Sequence, residues 1–346
     1  MEQLDIKDFG LREEPELWKI IGSSKEIKKV IKGIQTVLES DVPVVIQGET
    51  GTGKELVAKA IHYRGPRRKH TFCAINCAAI PENLLESELM GHEKGAFTGA
   101  IKQHVGKLER SNMGTLFLDE ITEMPQVMQT KILRVIEEQV FERVGGSKPI
   151  KTDVRFISAC NKDILSEVSS KNFREDLYYR INVFKIYIPP LRERINDIPE
   201  LVDVFVKRYS TQSGKKINNL DNSTMDKLTS YSWPGNIRQL QNSIRRAILI
   251  STNDTLLPEH FDFPDLDAND LRNIESLEDG LSKLEAALRR GDVLPLSEVE
   301  EIFIRRALNA TNGNISAASE KLDIGRSTVY RKMQEYGINI EDYQTT

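Results

Sequence analysis

The 346-residue sequence has few cysteines and lacks any long apolar run. Cys73, Cys77 and Cys160 are an odd number in apolar, strand-like contexts without a second metal-ligand pair, so we expect reduced core thiols. The five histidines form no HExxH motif, which argues against a structural metal site. No run approaches the roughly 20 apolar residues of a membrane span, and residues 1–10 show no signal-peptide pattern. These absences predict a cytoplasmic protein with no membrane partner.

The charge balance excludes a globally basic surface. Lysine and arginine number 48 against 52 acidic residues, which gives a formal net charge of −4. Any contact with nucleic acid must therefore be local and strengthened by oligomerisation. The length and the 39% hydrophobic content are sufficient for two or three domains with real cores.

Short apolar runs alternate with helical patterns over the first half of the chain. Their β-branched and aromatic residues, with little polar alternation, are typical of parallel strands buried on both faces. The predicted strands are residues 42–47, 72–76, 115–119, 154–159 and 183–188, and predicted helices include 55–62, 82–91 and 126–139. The alternation predicts an α/β fold with a five-stranded parallel sheet and right-handed crossovers.

The pattern changes after the two prolines at 189 and 190. Residues 191–261 are purely helical in periodicity and predict an α-helical lid, and 297–346 predict a compact all-helical domain. We therefore divide the chain into a leader (1–14), an α/β subdomain (15–190), the lid (191–261), a linker (262–296) and a C-terminal domain (297–346). In the linker, Leu277, Leu281, Leu284 and Leu288 have 4-3-4 spacing, which favours a helix docked on its own chain and leaves dimerisation as the alternative.

A glycine-rich segment follows the first predicted strand and opens a predicted helix, which is the context of a phosphate-binding loop. Its backbone amides and the helix N-terminus favour an anion, and the lysine reaches the β and γ phosphates. The segment and the residue after it are Gly48, Glu49, Thr50, Gly51, Thr52, Gly53, Lys54 and Glu55. Glu55 departs from the general pattern, which has Ser or Thr as a Mg²⁺ ligand at that position.

Two carboxylates end the third predicted strand, in the order and at the distance that a phosphate loop requires. Asp119 is predicted to hold Mg²⁺, directly or through water, and Glu120 to polarise the attacking water as general base. Asn76 ends the preceding strand and is predicted to hydrogen-bond Glu120. The combination with the phosphate loop predicts an ATP-hydrolysing site.

Residues 91–100, GHEKGAFTGA, place an aromatic residue and a threonine on a segment rich in glycine and alanine that no core pattern would bury. The alternative is a glycine-rich connector in which the phenylalanine is incidental. The six letters of the segment match a known motif and are Gly95, Ala96, Phe97, Thr98, Gly99 and Ala100. With the phosphate loop, this match makes the chain resemble the sigma-54-dependent transcription activators, the bacterial enhancer-binding proteins of the AAA+ class. That family carries Glu where Glu55 stands.

The resemblance implies roles for several further residues. Arg174 and Arg180 would be fingers that reach the γ-phosphate of a neighbouring subunit, although the pattern alone also fits solvated surface charges. Asn161 would be the first nucleotide sensor, beside Cys160 where the family usually has Thr, and Arg238 the second. Asn76 would link nucleotide sensing to hydrolysis. Ile20, Ile21 and Gly22 resemble the segment that holds the adenine.

The resemblance also implies the partners. Six copies of Phe97 and Thr98 would grip the sigma-54 factor of RNA polymerase, supported by a second loop at residues 143–146. The cofactors would be ATP and Mg²⁺, and the assembly a homo-oligomer, a hexamer built from dimers. The rivals are a DNA-binding regulator or repressor that binds nucleotide without activating sigma-54, and another AAA+ machine such as a clamp loader or unfoldase. The chain keeps both Glu120 and the loop motif, which neither rival combines.

The C-terminal residues have a helix-turn-helix pattern, with helices at 300–311, 315–322 and 326–336. The expected core is Ala317, Ala318, Leu322, Ile324, Val329 and Met333. The residues expected to contact DNA are Arg326, Ser327, Thr328, Tyr330, Arg331 and Lys332. The unit resembles the Fis-type domain of the same family, with a protein-binding three-helix bundle as the alternative. Residues 297–346 hold 6 basic and 8 acidic residues, so useful affinity requires paired copies on an inverted repeat of double-stranded enhancer DNA.

The sequence does not identify what controls the protein. No receiver or ligand-sensing pattern stands before residue 15. A separate regulatory protein, the expression level, or an N-terminal part that precedes this sequence are the alternatives left open.

Overall fold

A computed structural model describes residues 20–217, 219–263, 295–309, 311, 313–322, 324–339 and 343. The chain divides into two compact units with a boundary between Phe261 and Asp262. The predicted leader and the leucine stripe of the linker lie outside the described residues. The predicted domain limits stay predictions.

The first unit is built on a parallel sheet of five strands. In sequence order the sheet strands are β1 (Val44–Gln47), β2 (Phe72–Asn76), β5 (Thr115–Asp119), β8 (Arg155–Cys160) and β9 (Phe184–Tyr187). Their spatial order is β2-β5-β8-β1-β9, and every pairing is parallel. The five predicted strands are confirmed: β2 and β5 have the predicted limits, and the ends of β1, β8 and β9 differ from the prediction by one or two residues.

Three two-stranded ribbons accompany the sheet. They comprise β3 (Gly91–His92) with β4 (His104–Val105), β6 (Val140–Phe141) with β7 (Ile150–Lys151), and β10 (Asn219–Leu220) with β11 (Thr255–Leu256). The first two pairs are antiparallel and the third is parallel. The third pair lies in the region that we predicted to be purely helical, so that prediction was wrong in this detail. Two-residue strands are too short to produce an alternating pattern in the sequence.

Helices cover both faces of the sheet. Those of the α/β layer are α1 (Lys25–Val37), α2 (Lys54–Arg64), α3 (Glu82–Met90), α4 (Lys107–Arg110), α5 (Gln126–Glu138), α6 (Ile164–Ser169) and α7 (Glu175–Ile181). Alternate residues of each strand point to opposite sides, so that Leu116 and Leu118 join one apolar cluster while Phe117 joins the other. The three central strands β5, β8 and β1 are therefore buried on both faces, as the unbroken apolar runs predict, whereas the edge strands β2 and β9 each have exposed residues.

The lid follows the last sheet strand. It consists of α8 (Ile198–Ser213), α9 (Asn222–Ser230) and α10 (Asn236–Ile250). Helix α9 begins where the side chain of Asp221 accepts a hydrogen bond from the amide of Ser223, a common helix N-cap. Trp233 is fully buried between α9 and α10, and its indole N–H donates to the carbonyl of Leu228 at 2.8 Å.

The second unit contains three described helices, α11 (Leu296–Asn309), α12 (Ile315–Leu322) and α13 (Arg326–Glu335). Their core includes Leu308, Ala318, Val329 and Met333. Ile324 was predicted to join it but is 36% exposed. It lies in the turn between α12 and α13, where the backbone directs its side chain outward.

Candidate functional site

The phosphate loop connects β1 to α2 at the carboxyl edge of the sheet. Lys54 is the first residue of α2 and is only 7% exposed. Its ammonium donates to the carbonyl of Gly48 at 2.9 Å, which folds the side chain back over the loop. A buried lysine at a helix N-terminus, within a ring of backbone amides, forms a site for an anion such as a phosphate.

Glu120 lies against this lysine. Its Oε1 is 3.2 Å from Lys54 Nζ, and its Oε2 accepts a hydrogen bond from the amide of Asn161 at 3.1 Å. Glu120 has a left-handed backbone conformation (φ 49°), which is uncommon for a residue with a side chain. The structure therefore brings the predicted base, the phosphate-binding lysine and the predicted first sensor into one cluster.

Asp119 and Asn76 form a neighbouring pair. The amide of Asn76 donates to Asp119 Oδ2 at 3.2 Å. The predicted hydrogen bond from Asn76 to Glu120 was wrong, because the left-handed backbone at Glu120 places its carboxylate at Lys54 instead. Burial, and next the charge of Glu120, raise the pKa of Asp119. A divalent cation would relieve this repulsion, so the carboxylate pair is suited to hold one.

Glu55, the departure from the common phosphate-loop pattern, forms an ion pair with Lys59 one turn along α2, at 2.6 Å. Its side chain is about half exposed. The hydroxyl of Thr52 donates to the carbonyl of Glu49 at 2.7 Å and so closes the loop on itself. Among the described residues, no cluster of three metal-ligating side chains occurs.

The predicted adenine segment is tied to the start of the lid by Asp197, which is fully buried. Its Oδ1 accepts from the amides of Ser23 and Ser24, both at 2.8 Å, and its Oδ2 from the Ser24 hydroxyl at 2.7 Å. Gly22 precedes these residues with φ 139°, and a side chain there would collide with the Asp197 carboxylate. Asp197 thus fixes in place the segment that was predicted to hold the adenine.

The two predicted arginine fingers have different surroundings. Arg174 caps α7, pairs with Asp176 at 2.6 Å and donates to the hydroxyl of Thr130 at 3.2 Å. Arg180 lies in the last turn of α7, is exposed, and forms no ion pair within the described part of the chain. Arg180 is therefore the more available of the two for a second copy of the chain.

The GAFTGA segment forms a tight loop between β3 and β4. The amide of Gly95 donates to the carbonyl of Ala100 at 2.8 Å, and the amide of Ala100 to Phe97 at 3.0 Å. Phe97 is 41% exposed, and its ring meets His92 edge-on with centroids 4.9 Å apart. Thr98 is exposed and Ala100 is buried. Ile101, which sequence analysis did not single out, is 77% exposed and extends the apolar tip.

A second loop supports the base of the first. Arg143 pairs with Glu93 and Glu109, both at 2.7 Å. The amide of Glu93 donates to the carbonyl of Val144 at 3.0 Å, which joins the two loops through their backbones. This arrangement agrees with the expectation that residues 143–146 support the exposed loop.

In the second unit, α13 presents Arg326, Ser327, Tyr330 and Arg331 at its surface. Thr328 is half-buried. Lys332 differs from the expectation because its ammonium pairs with Glu300 of α11 at 2.7 Å. Lys332 thus links two helices of the unit, and the exposed cations that remain on α13 are Arg326 and Arg331.

Sequence reasoning missed the lid residues that contact the phosphate loop. Arg238, the predicted second sensor, is exposed, and its backbone amide donates to the carbonyl of Gly51 at 3.3 Å. Asn236, two residues earlier and fully buried, donates to the carbonyl of Thr50 at 3.0 Å. Arg192 binds both carboxylate oxygens of Glu49, at 2.6 and 2.8 Å. A non-glycine residue with positive φ cannot be recognised from the sequence alone, so Asn236 carried no signal beyond its position two residues before the predicted sensor Arg238.

Three family models match the chain. They are the sigma-54 interaction domain over residues 20–187, an AAA+ ATPase lid domain over 192–273, and the bacterial regulatory proteins of the Fis family over 295–336. The model of the lid domain thus begins at the segment that contacts the phosphate loop. Among the described residues, no helix has the length and apolar character of a membrane span.

Curated relatives are similar over most of the chain. The regulatory protein AtoC of Escherichia coli K12 is 42% identical over 93% of the chain and 68% of its own length. The regulator NtrC of Rhizobium meliloti is 39% identical over 93% of the chain and 70% of its own length. The nitrogen fixation protein AnfA of Azotobacter vinelandii is 40% identical over 96% of the chain, which spans only 60% of AnfA.

Solved structures agree with these relatives. NtrX from Brucella abortus, in complex with ATP, superposes with a TM-score of 0.66 at 32% identity, over 92% of this chain and 69% of that one. The same values hold for its complex with ADP. The motifs, the fold and these similarities together establish that the chain belongs to the family of sigma-54-interacting AAA+ transcriptional regulators.

Proposed function

We propose that the chain is an ATP-dependent activator of sigma-54 RNA polymerase. The observation that carries the proposal is the pair of buried Lys54 and largely buried Glu120, 3.2 Å apart, in the same α/β layer that carries the exposed Phe97 loop. The first feature suits a phosphate and an attacking water, and the second suits a protein partner. The ATP complex of the related NtrX supports ATP as the nucleotide.

In this proposal each residue of the site has a distinct task. Lys54 and the loop amides bind the phosphates, and Glu120 accepts a proton from the attacking water. Asp119 would hold Mg²⁺, directly or through water, and the ion would neutralise charge on the phosphates. Asn161 keeps the carboxylate of Glu120 in place through its backbone amide.

The site is completed by a second copy of the chain. Arg180 is exposed on α7, and a guanidinium from a neighbouring subunit stabilises charge that develops on the γ-phosphate. We propose a homo-oligomeric ring, a hexamer built from dimers. Phe97 and Thr98 of each copy contact the sigma-54 factor, and turnover remodels the closed promoter complex into the open one.

In this proposal the second unit recognises the DNA site. Arg326 and Arg331 on the surface of α13 contact phosphates or base edges, together with Ser327 and Tyr330. Paired copies bind an inverted repeat in double-stranded enhancer DNA, in the cytoplasm.

The first test concerns the nucleotide. We expect Lys54→Ala to abolish ATP binding, because the buried Lys54 ammonium, at the start of α2, is the cation expected to reach the phosphates. Isothermal titration with ATP measures the affinity, and Lys59→Ala, a half-buried lysine later in the same helix, is the matched control. Full affinity in Lys54→Ala would contradict the assignment of the site.

A further inference from the structure

Lid donors engage three consecutive carbonyl groups of the phosphate loop. The side-chain amide of Asn236 donates to Thr50 O at 3.0 Å, and the backbone amide of Arg238 donates to Gly51 O at 3.3 Å. A guanidinium nitrogen of Arg194 donates to Thr52 O at 3.3 Å. The loop carbonyls are therefore turned towards the lid.

This orientation has a consequence for the opposite side of the loop. A trans peptide is planar, with its C=O and the following N–H pointing in opposite directions. Carbonyls held by the lid direct the amides of Gly51 and Gly53 away from it, to the side where an anion binds. The amide between them, of Thr52, donates to the carbonyl of Glu49 and closes the turn.

Asn236 makes more contacts in this network than any other lid residue. It is fully buried, and its Oδ1 accepts a hydrogen bond from the amide of Leu191 at 2.7 Å. Its Nδ2 also donates to Glu49 Oε2 at 3.2 Å. The positive φ of 53° is a strained conformation that the surrounding contacts must hold. A side chain at Gly51 would collide with the carbonyl of Gly235, so the loop and the lid touch closely here.

The carboxylate of Glu49 explains why an amide is needed. An unpaired negative charge beside a phosphate-binding loop would repel the ligand. The guanidinium fork of Arg192 neutralises it and the amide of Asn236 stabilises it by a hydrogen bond, and both lower the pKa of Glu49, with the bond from Arg192 as the largest cause. A neutral donor at position 236 serves both the carboxylate and the carbonyl of Thr50.

We propose that Asn236 is a positioning residue for nucleotide binding, which orients the amides of the phosphate loop by holding its carbonyls and which couples lid to loop independently of the Arg238 side chain. The inference rests on the proposed function and deepens it. A change in lid position would pull on Thr50 and Glu49 through Asn236, and so alter the cradle before any contact between the lid and the phosphates is lost. Pre-organisation of this kind raises affinity by reducing the cost of ordering the loop.

The test is the isosteric variant Asn236→Asp. Its oxygen still accepts from Leu191, but the donor becomes an anion facing Glu49 and the carbonyl of Thr50. We expect affinity for ATP and ADP to fall roughly tenfold or more, the range for leaving buried polar groups unsatisfied. Turnover at saturating ATP should fall much less, because the reacting groups are untouched. Calorimetry and steady-state kinetics measure the two effects.

Three variants make the result specific. Asn242→Ala, an exposed asparagine on the same helix, should bind as the wild type does. Asn236→Ser removes the amide without adding a charge and should also weaken binding, which covers the case in which Asn236→Asp does not fold. Adding Glu49→Gln to Asn236→Asp supplies a new donor and should restore part of the affinity, whereas a purely structural defect would not respond.

The outcomes separate this inference from the proposed function. A wild-type chain that neither binds nor hydrolyses ATP would contradict the proposed function. A wild type that binds ATP while folded Asn236→Asp or Asn236→Ser variants bind within twofold of it would overturn the role of Asn236 alone. Weak binding in Asn236→Asp that Glu49→Gln does not relieve would refute the coupling through Glu49.

Discussion

Near the sheet, burial decides which side chains are chemically reactive and which are inert. Burial, followed by the charges of nearby carboxylates, raises the pKa of Cys77 and of Cys160 to about 12. These thiols stay protonated at neutral pH and are poor nucleophiles. Asp119, at the same edge of the sheet, keeps a carboxylate that solvent reaches. The expectation of reduced core cysteines is met by all three, which are free and buried.

The buried ring of His62 predicts how the stability of the protein depends on pH. Its ring bonds the hydroxyl of Thr115 and the carbonyl of His70, and burial lowers its pKa to about 4 from 6.5. The unfolded chain therefore binds a proton between pH 6.5 and 4 that the folded chain excludes, so the contribution to stability is complete above pH 6.5 and declines as the pH falls. Between pH 7 and pH 4.5 we expect the titration of His62 alone to lower the free energy of unfolding by about 2 kcal/mol.

The measurement is urea unfolding at both pH values for the wild type and for His62→Gln, which cannot titrate. The free energy of unfolding should fall less in the variant over this interval. Equal losses in the two proteins would show that His62 does not contribute.

At the scale of elements, the exposed loop depends on its two supports. The glycines at 95 and 99 have φ of 83° and 103° with open space around them, so they are used for backbone conformation and not for packing. The His92 ring below and Arg143 beside the loop hold its base, while Phe97 and Thr98 remain exposed. A rigid base and an exposed tip suit an element that transmits movement to a partner.

This arrangement predicts that binding and hydrolysis of ATP are separable from promoter opening. Thr98→Ala removes an exposed hydroxyl and methyl from the loop between β3 and β4, whereas Lys54 belongs to the phosphate loop. ATP turnover should therefore stay within about twofold, while open-complex formation with sigma-54 holoenzyme should be lost. Phosphate release and permanganate footprinting of the promoter measure the two. Normal yields of open complex would remove the loop from the mechanism.

At the scale of the whole molecule, the proposal is that a second copy of the chain completes the site. If Arg180 completes a neighbouring site, Arg180→Ala should bind ATP nearly as the wild type does but lose at least about a hundredfold in turnover, as for other arginine fingers. The control is Arg134→Ala, an exposed arginine whose ion pair is local to α5.

Mixing provides the sharper form of this test. Lys54→Ala and Arg180→Ala subunits are each expected to be inactive, yet a mixed ring would contain sites with an intact Lys54 and a neighbour's intact Arg180. Partial recovery of turnover on mixing is the expected result. No recovery in rings of confirmed mixed composition would count against a shared site.

The amino-acid sequence by itself determined the family, the α/β class, the phosphate loop, the paired carboxylates and the exposed loop. Each of these rests on local signals. Glycine occurs where the backbone must turn closely, apolar runs occur where strands are buried, and the motifs follow one another in a fixed order along the chain. The sheet order β2-β5-β8-β1-β9 and the pairing of Lys54 with Glu120 came only from tertiary structure. Tertiary structure also decided the left-handed backbone at Glu120, the ion pair between Lys332 and Glu300, and the contacts of Asn236. Such features depend on which distant segments meet and on dihedral angles that the packed chain imposes, and neither is encoded in the spacing of residues along the sequence.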